Sequence, residues 1–279
     1  MDFCFPPFSI PSMKLAMIGV GHMGGAILKA ILSQQTVAPE KILFSVATET
    51  HRDRLQAEFG IRPCAVSDMP ALADVIIIGV RPADAAPVLE KLAQSPERSR
   101  PLYLSIMGGR RLEWLEERLP NARVIRIMPN LGVSVRQGMC AYACGTRATE
   151  DDAARTQQLL EAFGTALKLP EENMDAVTAL SGSGPAFFAY ALQAMTKGGI
   201  ALGIEPAAAA TLARQTLLGT ATVLSRPGAP DTEAFIRSVA TKGGTTAAGM
   251  QVLEASAVND AFAATLNAAA KRSAELSAL

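Results

Sequence analysis

The chain has 279 residues, of which 49% are hydrophobic and 19% charged, enough to form one or two packed domains. Lys and Arg together number 26, as do Asp and Glu, so the formal net charge is zero. This balance argues against nucleic acid or an acidic membrane surface as a partner, and no apolar run reaches the roughly 18 residues that a membrane-spanning helix needs.

The chain begins with a segment rich in proline. Residues 1–12 contain three prolines and neither Lys nor Arg, so they lack the basic start and continuous apolar core of a secretory signal. We predict a disordered extension over residues 1–12 and regard Met13 as a second candidate start.

The four cysteines are scattered along the chain as Cys4, Cys64, Cys140 and Cys144. They form no closely spaced pair typical of a zinc site, although Cys140 and Cys144 could share a face of one strand. We predict buried thiols, no metal site and a reduced, cytoplasmic protein.

Strand and helix patterns alternate over residues 13–170. The predicted strands are residues 14–19, 41–47, 62–66, 74–80, 102–107, 123–128, 139–144 and 166–169. The predicted helices are residues 23–34, 52–59, 83–93, 112–119 and 150–163. Residues 74–80 (DVIIIGV) are apolar throughout, as in a central parallel strand that is covered on both faces. The alternation predicts an α/β domain with a doubly wound, mainly parallel sheet.

The pattern changes near Pro170, and residues 171–279 are rich in Ala, Leu and Thr with almost no strand signal. Helices are predicted at residues 173–182, 186–202, 206–224, 232–239, 245–255 and 258–276. Helices that are apolar on more than one face often bury the second face in a partner subunit. We therefore predict an all-α domain over residues 171–279 that forms a homodimer or a higher homo-oligomer.

A glycine motif follows the first predicted strand. In IGVGHMGGAIL, Gly19, Gly21 and Gly24 form a GxGxxG pattern between a strand and a helix. Gly19 would allow the tight turn, Gly21 the approach of a pyrophosphate, and Gly24 close packing of helix on strand. The helix N-terminus would attract the phosphates. This setting predicts a dinucleotide site.

The end of the second strand should distinguish NAD from NADP. An acidic residue there would hold the 2′-hydroxyl of NAD, but residues 45–48 read SVAT and Glu49 lies beyond the expected place. Arg52 and Arg54 follow, and either could meet a 2′-phosphate or simply face solvent. The missing acid mildly favours NADP.

Two further glycine clusters lie in the second domain, at residues 181–185 (SGSGP) and 241–246 (TKGGTT). The second cluster combines a flexible backbone, hydroxyls and a helix N-terminus, which suits a carboxylate or phosphate. An ordinary helix–helix turn with Thr as the cap explains the same residues.

Missing residue types constrain the chemistry. Oxidation of an alcohol needs a base, usually His or Lys, yet both His22 and His51 lie in the nucleotide half and no well-placed Lys stands out in the second domain. Reduction of an imine mainly needs orientation and polar hydrogen-bonding groups. A hydroxyl-rich site without an obvious base therefore favours imine reduction.

At these motifs the chain resembles the pyrroline-5-carboxylate reductase family from Met13 onward. The resemblance rests on IGVGHMGGAI, DVIIIGVRP, RVIRIMPN, VTALSGSGPAFF and ATKGGTTAAG. It implies an N-terminal Rossmann domain, a C-terminal helical dimerisation domain, and hydride transfer from NAD(P)H to the C=N bond of 1-pyrroline-5-carboxylate to give L-proline. NADPH is the expected cofactor and NADH the alternative.

The resemblance also implies site residues. The substrate carboxylate would bind the loop around residues 243–246, and Thr246 would be catalytic through a hydrogen bond to the ring nitrogen. The implied substrate-binding residues are Thr241, Gly243, Gly244, Thr245 and Thr246. The implied cofactor-binding residues are Gly19, Gly21, His22, Met23, Gly24, Val80, Arg81, Pro82, Pro129 and Asn130.

The chain departs from the family pattern in several places. Arg81 replaces Lys, Leu131 replaces Thr, Lys242 replaces Pro, residues 46–47 replace Asn-Arg, and residues 106–109 replace an Ala-Ala-Gly run. Three alternatives therefore stay open: a reductase of another cyclic imino acid, a hydroxy-acid dehydrogenase of the 6-phosphogluconate type, and a non-catalytic nucleotide-sensing module. The second is disfavoured because residues 181–191 contain no Lys.

Overall fold

The structure, a computed structural model, describes residues 13–278, so the prediction for residues 1–12 lies outside it. The described residues form an eight-stranded sheet with the order β3-β2-β1-β4-β5-β6-β7-β8. Its one antiparallel pair is β6 and β7, and β8 is parallel to β7, so these last two strands run opposite to the other six. The strands are β1 Leu15–Ile18, β2 Ile42–Ser45, β3 Arg62–Pro63, β4 Val75–Ile78, β5 Leu102–Ser105, β6 Arg123–Pro129, β7 Gly138–Cys144 and β8 Gly164–Lys168. The predicted doubly wound, mainly parallel sheet is confirmed.

Helices flank and follow this sheet. Those of the α/β part are α1 His22–Ser33, α2 Glu49–Phe59, α3 Met69–Leu72, α4 Ala85–Ala93, α5 Leu112–Arg118 and α6 Glu150–Glu161. Those that follow β8 are α7 Met174–Val177, α8 Gly184–Ala201, α9 Pro206–Leu224, α10 Thr232–Val239, α11 Thr245–Ala255 and α12 Val258–Ser277. The prediction of a helical C-terminal region is confirmed.

Two predicted elements are corrected. The strand predicted at residues 62–66 is only Arg62–Pro63, and a 3-10 turn and the short α3 follow it. Proline explains the change, because Pro63 has no N–H for the ladder and Pro70 suits a first helical turn. The helix predicted at residues 173–182 is the short α7 followed by a π-helical turn, Thr178–Gly182.

The core lies on both faces of the sheet. Leu15, Met17 and Ile77 point into one apolar cluster, and Ile76 and Ile78 point into the other. This alternation explains why residues 74–80 are apolar throughout. Both faces of the central strands are thereby buried.

The described cysteines Cys64, Cys140 and Cys144 are unpaired. Cys140 and Cys144 share one face of β7, since both belong to the same apolar cluster. Burial raises the pKa of the Cys140 thiol to about 12, so this side chain stays protonated at neutral pH.

The described residues divide into two compact units. The first contains residues 13–183 and 269–278, and the second contains residues 184–268. Helix α12 therefore begins in the second unit and ends in the first. The domain boundary at residue 170 stays a prediction.

Within residues 13–278, no helix is both long and apolar enough to cross a membrane.

Candidate active site

The glycine loop joins β1 to α1 with very little space around two of its glycines. Gly19 has a φ of +83°, and a Cβ there would lie 2.7 Å from the Val80 nitrogen. A Cβ on Gly24 would lie 2.6 Å from the Gly19 carbonyl oxygen. The turn and the close helix–strand approach thus exclude side chains at both positions.

Gly21 lies in a different environment. A Cβ on Gly21 would meet no atom within 4 Å, so the fold itself does not require glycine there. Gly21 is the N-cap of α1, without a side-chain capping bond and without an acidic residue in the first turn. Its open side and the uncapped helix N-terminus suit an approaching anion.

A groove of about 690 Å³ runs past this loop and brings four of the predicted cofactor residues together: Gly19, Gly21, Val80 and Arg81. The predicted His22 lines an adjoining cavity of about 510 Å³, which Gly21 also lines. Arg81 is largely exposed and forms an ion pair with Asp84 at 2.7 Å. The predicted Met23 and Gly24 follow His22 within α1, and Pro82 begins a 3-10 turn after Arg81.

The end of β2 carries no acidic side chain into this groove. Val46 and Ala47 line it, and Thr48 caps α2 by accepting a hydrogen bond from the His51 N–H at 3.3 Å. Arg52 lies beside the strand end but is paired with Glu49 at 3.8 Å and Asp53 at 3.0 Å. The absence of an acid at Val46 and Ala47 removes the usual partner of the NAD 2′-hydroxyl.

Sequence reasoning missed His51 as a groove residue. This histidine lines both the main groove and the adjoining cavity, and its Nε2 atom is buried without a hydrogen-bond partner. Its position in the first turn of the helix after β2 was the available signal. Arg54 instead lines only the adjoining cavity.

Asn130 connects two of the sequence motifs within the first unit. Its Oδ1 atom accepts hydrogen bonds from the N–H groups of Gly132 and Met139, both at 3.1 Å. Its Nδ2 atom donates to the Ser181 carbonyl oxygen at 3.3 Å. Asn130, which follows the buried Pro129, thereby fixes the carboxyl end of β6 against the first residue of the SGSGP motif.

The five predicted substrate residues lie in and just after the loop between α10 and α11. The Gly244 N–H donates to the Thr241 carbonyl oxygen at 2.9 Å, and Gly243 has a φ of +78°. A Cβ on Gly244 would lie 2.9 Å from Thr241 Oγ1. The loop is therefore compact, and each of its glycines is needed for a local reason.

The helix that follows this loop begins with Thr245 and Thr246, and no side chain caps its N-terminus. Thr245 is exposed and Thr246 is partly buried. Two hydroxyls and the first-turn N–H groups are therefore available at one helix N-terminus, which suits a carboxylate. Lys242 is exposed beside them and adds a positive charge.

Fold and groove together define a Rossmann-type oxidoreductase that uses a nicotinamide dinucleotide, with an additional helical unit. A family model described as pyrroline-5-carboxylate reductase dimerisation matches residues 171–276. A model described as NADP oxidoreductase, coenzyme F420-dependent, matches residues 14–109.

Proteins named pyrroline-5-carboxylate reductase resemble nearly the whole chain. The one from Synechocystis sp. is 36% identical over 95% of this chain and 98% of its own. The one from Arabidopsis thaliana is 34% identical over 97% of this chain and 98% of its own. The chain belongs to the pyrroline-5-carboxylate reductase family.

Solved structures agree on the fold. The pyrroline-5-carboxylate reductase of Coxiella burnetii matches with a TM-score of 0.90 at 26% identity, over 95% of this chain and 99% of that chain. A Plasmodium falciparum pyrroline carboxylate reductase with NADP bound matches with a TM-score of 0.80 over 95% and 98% of the two chains. At its 23% identity, this second likeness shows the fold alone.

Proposed function

We propose that this protein transfers hydride from NADPH to the C=N bond of 1-pyrroline-5-carboxylate and releases L-proline. The loop at residues 241–246 carries the proposal. It presents an uncapped helix N-terminus and two threonine hydroxyls, in a chain that belongs to the reductase family. The alternative of a hydroxy-acid dehydrogenase has no comparable support.

The groove fits a dinucleotide, because Gly21 leaves open space beside the uncapped N-terminus of α1. Gly19, Gly21 and Gly24 shape the pyrophosphate site, and His22 and Met23 supply first-turn backbone N–H groups. Val80, Arg81 and Pro82 border the groove, and Pro129 and Asn130 flank the nicotinamide side. When bound, NADPH supplies the hydride.

The substrate would bind at the N-terminus of α11. Backbone N–H groups around Gly243, Gly244 and Thr245 hold its carboxylate, and Thr241 keeps the loop compact through its contacts with Gly244. The Thr246 hydroxyl donates to the ring nitrogen, which orients the imine and offers a path for a proton. No strong base is needed, since the carbon atom accepts hydride.

Assembly through the C-terminal helices is the second part of the proposal. Helices α8 and α9 form an apolar groove of about 380 Å³. Three of its lining side chains, Phe188, Met195 and Leu212, are 57–68% exposed. Exposed apolar area of this kind marks an interface, and we assign it to a second copy of the chain. The three described cysteines are unpaired, which fits a reducing, cytoplasmic setting.

The decisive experiment measures oxidation of NADPH and of NADH with 1-pyrroline-5-carboxylate and with its six-membered homologue. We expect the highest kcat/KM for NADPH with the five-membered ring. A preference for the six-membered imino acid would move the function to a related reductase. No oxidation with either imine, together with normal NADPH binding, would overturn the proposal in favour of a nucleotide-binding module.

A further inference from the structure

The last turns of α12 return to the first unit and form a hydrogen-bonded chain there. Ser273 is 5% exposed, and its hydroxyl donates to Asp175 Oδ1 at 2.7 Å. The other oxygen of Asp175 accepts from Arg111 Nη2 at 2.9 Å. We call Ser273, Asp175 and Arg111 the C-terminal clasp.

The clasp holds the loop between β5 and α5, which comprises residues 106–111. Arg111 is the N-cap of α5 and the last residue of this loop. A second contact lies two residues earlier, at Gly109, where φ is +70° and a Cβ would lie 3.2 Å from the Leu276 Cβ. The end of α12 therefore fixes the loop both by a charged hydrogen bond and by close packing.

This loop in turn supports one wall of the cofactor groove. A Cβ on Gly79 would lie 3.0 Å from Ile106 Cδ1, and Arg110 Nη2 donates to the Pro82 carbonyl oxygen at 3.4 Å. The loop thus contacts both ends of residues 79–82, of which Gly79, Val80 and Arg81 line the groove. A shift of the loop would move this wall.

The start of α5 is fixed by a separate contact. The Leu112 N–H donates to Glu171 Oε1 at 3.0 Å, and the same oxygen accepts from the buried Arg126 Nη1 at 2.7 Å. Loss of the clasp should therefore release the loop while α5 stays attached to the sheet.

We propose that the C-terminal clasp positions the groove wall at residues 79–82, so that Ser273, Asp175 and Arg111 are positioning residues for NADPH binding. None of the three lines the groove. The proposal rests on the proposed function only in that the groove takes NADPH, and its test needs no imine substrate.

The test measures NADPH affinity with Trp114, the only tryptophan of the sequence. Trp114 lies on α5, and the guanidinium carbons of Arg110 and Arg118 lie 4.6 and 4.0 Å from its ring centre. Quenching of its emission by NADPH gives the Kd directly. For Ser273→Ala we expect a Kd about three- to tenfold higher, because a hydrogen bond to a charged group is lost.

The matched control is Ser277→Ala. The Ser277 hydroxyl bonds only the Ser273 carbonyl oxygen within the same helix, at 3.0 Å. We expect its Kd to stay within about twofold of the wild type, since the bond is local to one helix. Ser273→Thr, which keeps the hydroxyl, should restore most of the affinity.

Stability measurements separate positioning from a merely structural role. A lower Tm for Ser273→Ala with an unchanged Kd would overturn the proposal. If Ser273→Ala does not fold, the NADPH Kd is measured in Asp175→Asn instead. This variant keeps an oxygen that accepts from the Ser273 hydroxyl but removes the negative charge that faces Arg111. An unchanged Kd in that variant would also reject the clasp.

A wild type that binds no NADPH would reject both proposals, whereas one that binds NADPH but reduces no imine would reject only the proposed function.

Discussion

Gly21 and Gly24 have opposite roles within one motif. The space around Gly24 is closed by the Gly19 carbonyl oxygen, whereas Gly21 has open space where a side chain would lie. Glycine at position 24 is therefore required by the fold, whereas we assign glycine at position 21 to the approach of the cofactor. The sequence motif predicted close helix–strand packing at Gly24 and the approach of a pyrophosphate at Gly21, and substitution at each position tests the two roles separately.

Gly21→Val should fold normally and fail to bind the cofactor. The new side chain meets no protein atom close to its Cβ, but it fills the space that we assign to the pyrophosphate. We expect the NADPH Kd to rise at least about tenfold, equivalent to about 1.4 kcal/mol, with a Tm near that of the wild type. Normal affinity in a fluorescence titration would contradict the assignment of this loop.

Gly24→Ala should reduce stability. Its Cβ would lie 2.6 Å from a backbone oxygen that has little freedom to move, and overpacking of this kind costs about 1–3 kcal/mol. The control is Gly25→Ala, where a Cβ has open space and the better helix propensity adds up to about 1 kcal/mol. Urea unfolding of both variants measures whether the free energy of unfolding falls or rises, and equal changes in the two variants would contradict the packing argument.

Thr246→Ala should lower turnover. Loss of the hydroxyl that we propose as the donor to the ring nitrogen should reduce kcat about 100- to 1,000-fold, as removal of one preorganised donor does in other active sites. NADPH affinity should change little. The control is Thr222→Ala, whose exposed hydroxyl bonds only the Leu218 carbonyl oxygen within α9. Equal kcat values for both variants would reject the role of Thr246.

At the level of elements, the sequence predicted the order of strands and helices but missed details that depend on tertiary contacts. The uninterrupted apolar run of residues 74–80 predicted β4, whose two faces enter two apolar clusters. The π-helical turn Thr178–Gly182 was not predicted. Its last residue packs against Met128, which is distant in sequence: a Cβ on Gly182 would lie 2.6 Å from Met128 Cε.

Prediction of the site was limited in the same way. The turn of the glycine loop and the break before α11 were predictable because the residues that form them are adjacent in sequence. The bonds of Asn130 to Ser181 and of Arg126 to Glu171 span 51 and 45 residues. No sequence period signals such pairs, so they were visible only in the structure.

Val46→Asp should shift the cofactor preference from NADPH toward NADH. Val46 lies directly after β2 and lines the groove, where an acid would bond a ribose 2′-hydroxyl and repel a 2′-phosphate. We expect NADPH affinity to fall about tenfold or more, because an unfavourable like-charge contact costs several kcal/mol. The neutral Val46→Asn separates charge from size, and an equal loss in both variants would contradict the electrostatic argument.

At the level of the whole molecule, the helical unit leaves much apolar surface uncovered. The composition of residues 171–279 predicted a partner subunit, because the helices there are apolar on more than one face. The exposed large apolar side chains of residues 184–268 are Phe188, Tyr190, Met195, Ile200, Leu202, Ile204, Leu212, Leu217, Leu218, Val223, Ile236, Val239, Val252, Leu253 and Phe262. The sequence could not indicate which of them would form the interface that we propose, because periodicity does not distinguish an inner face from an interface.

Met195→Glu should weaken the dimer. Met195 is 68% exposed and lines the groove between α8 and α9, so a charge there would be buried without a partner on assembly. Light scattering should show a shift from the dimer or a larger species toward the monomer. The control is Leu72→Glu on the first unit, at 44% exposure, and the same mass for both variants would contradict the proposed interface.

The return of α12 to the first unit has a consequence for biosynthesis. Residues 269–278 belong to the same unit as residues 13–183, but residues 184–268 must be translated in between. At about 5–20 residues per second, that interval lasts on the order of ten seconds. During it, the nascent first unit lacks Ser273 and Leu276, so the half-buried Asp175 has no serine hydroxyl at its Oδ1 atom. The contacts between α12 and the first unit can therefore form only after residues 184–268 have been translated.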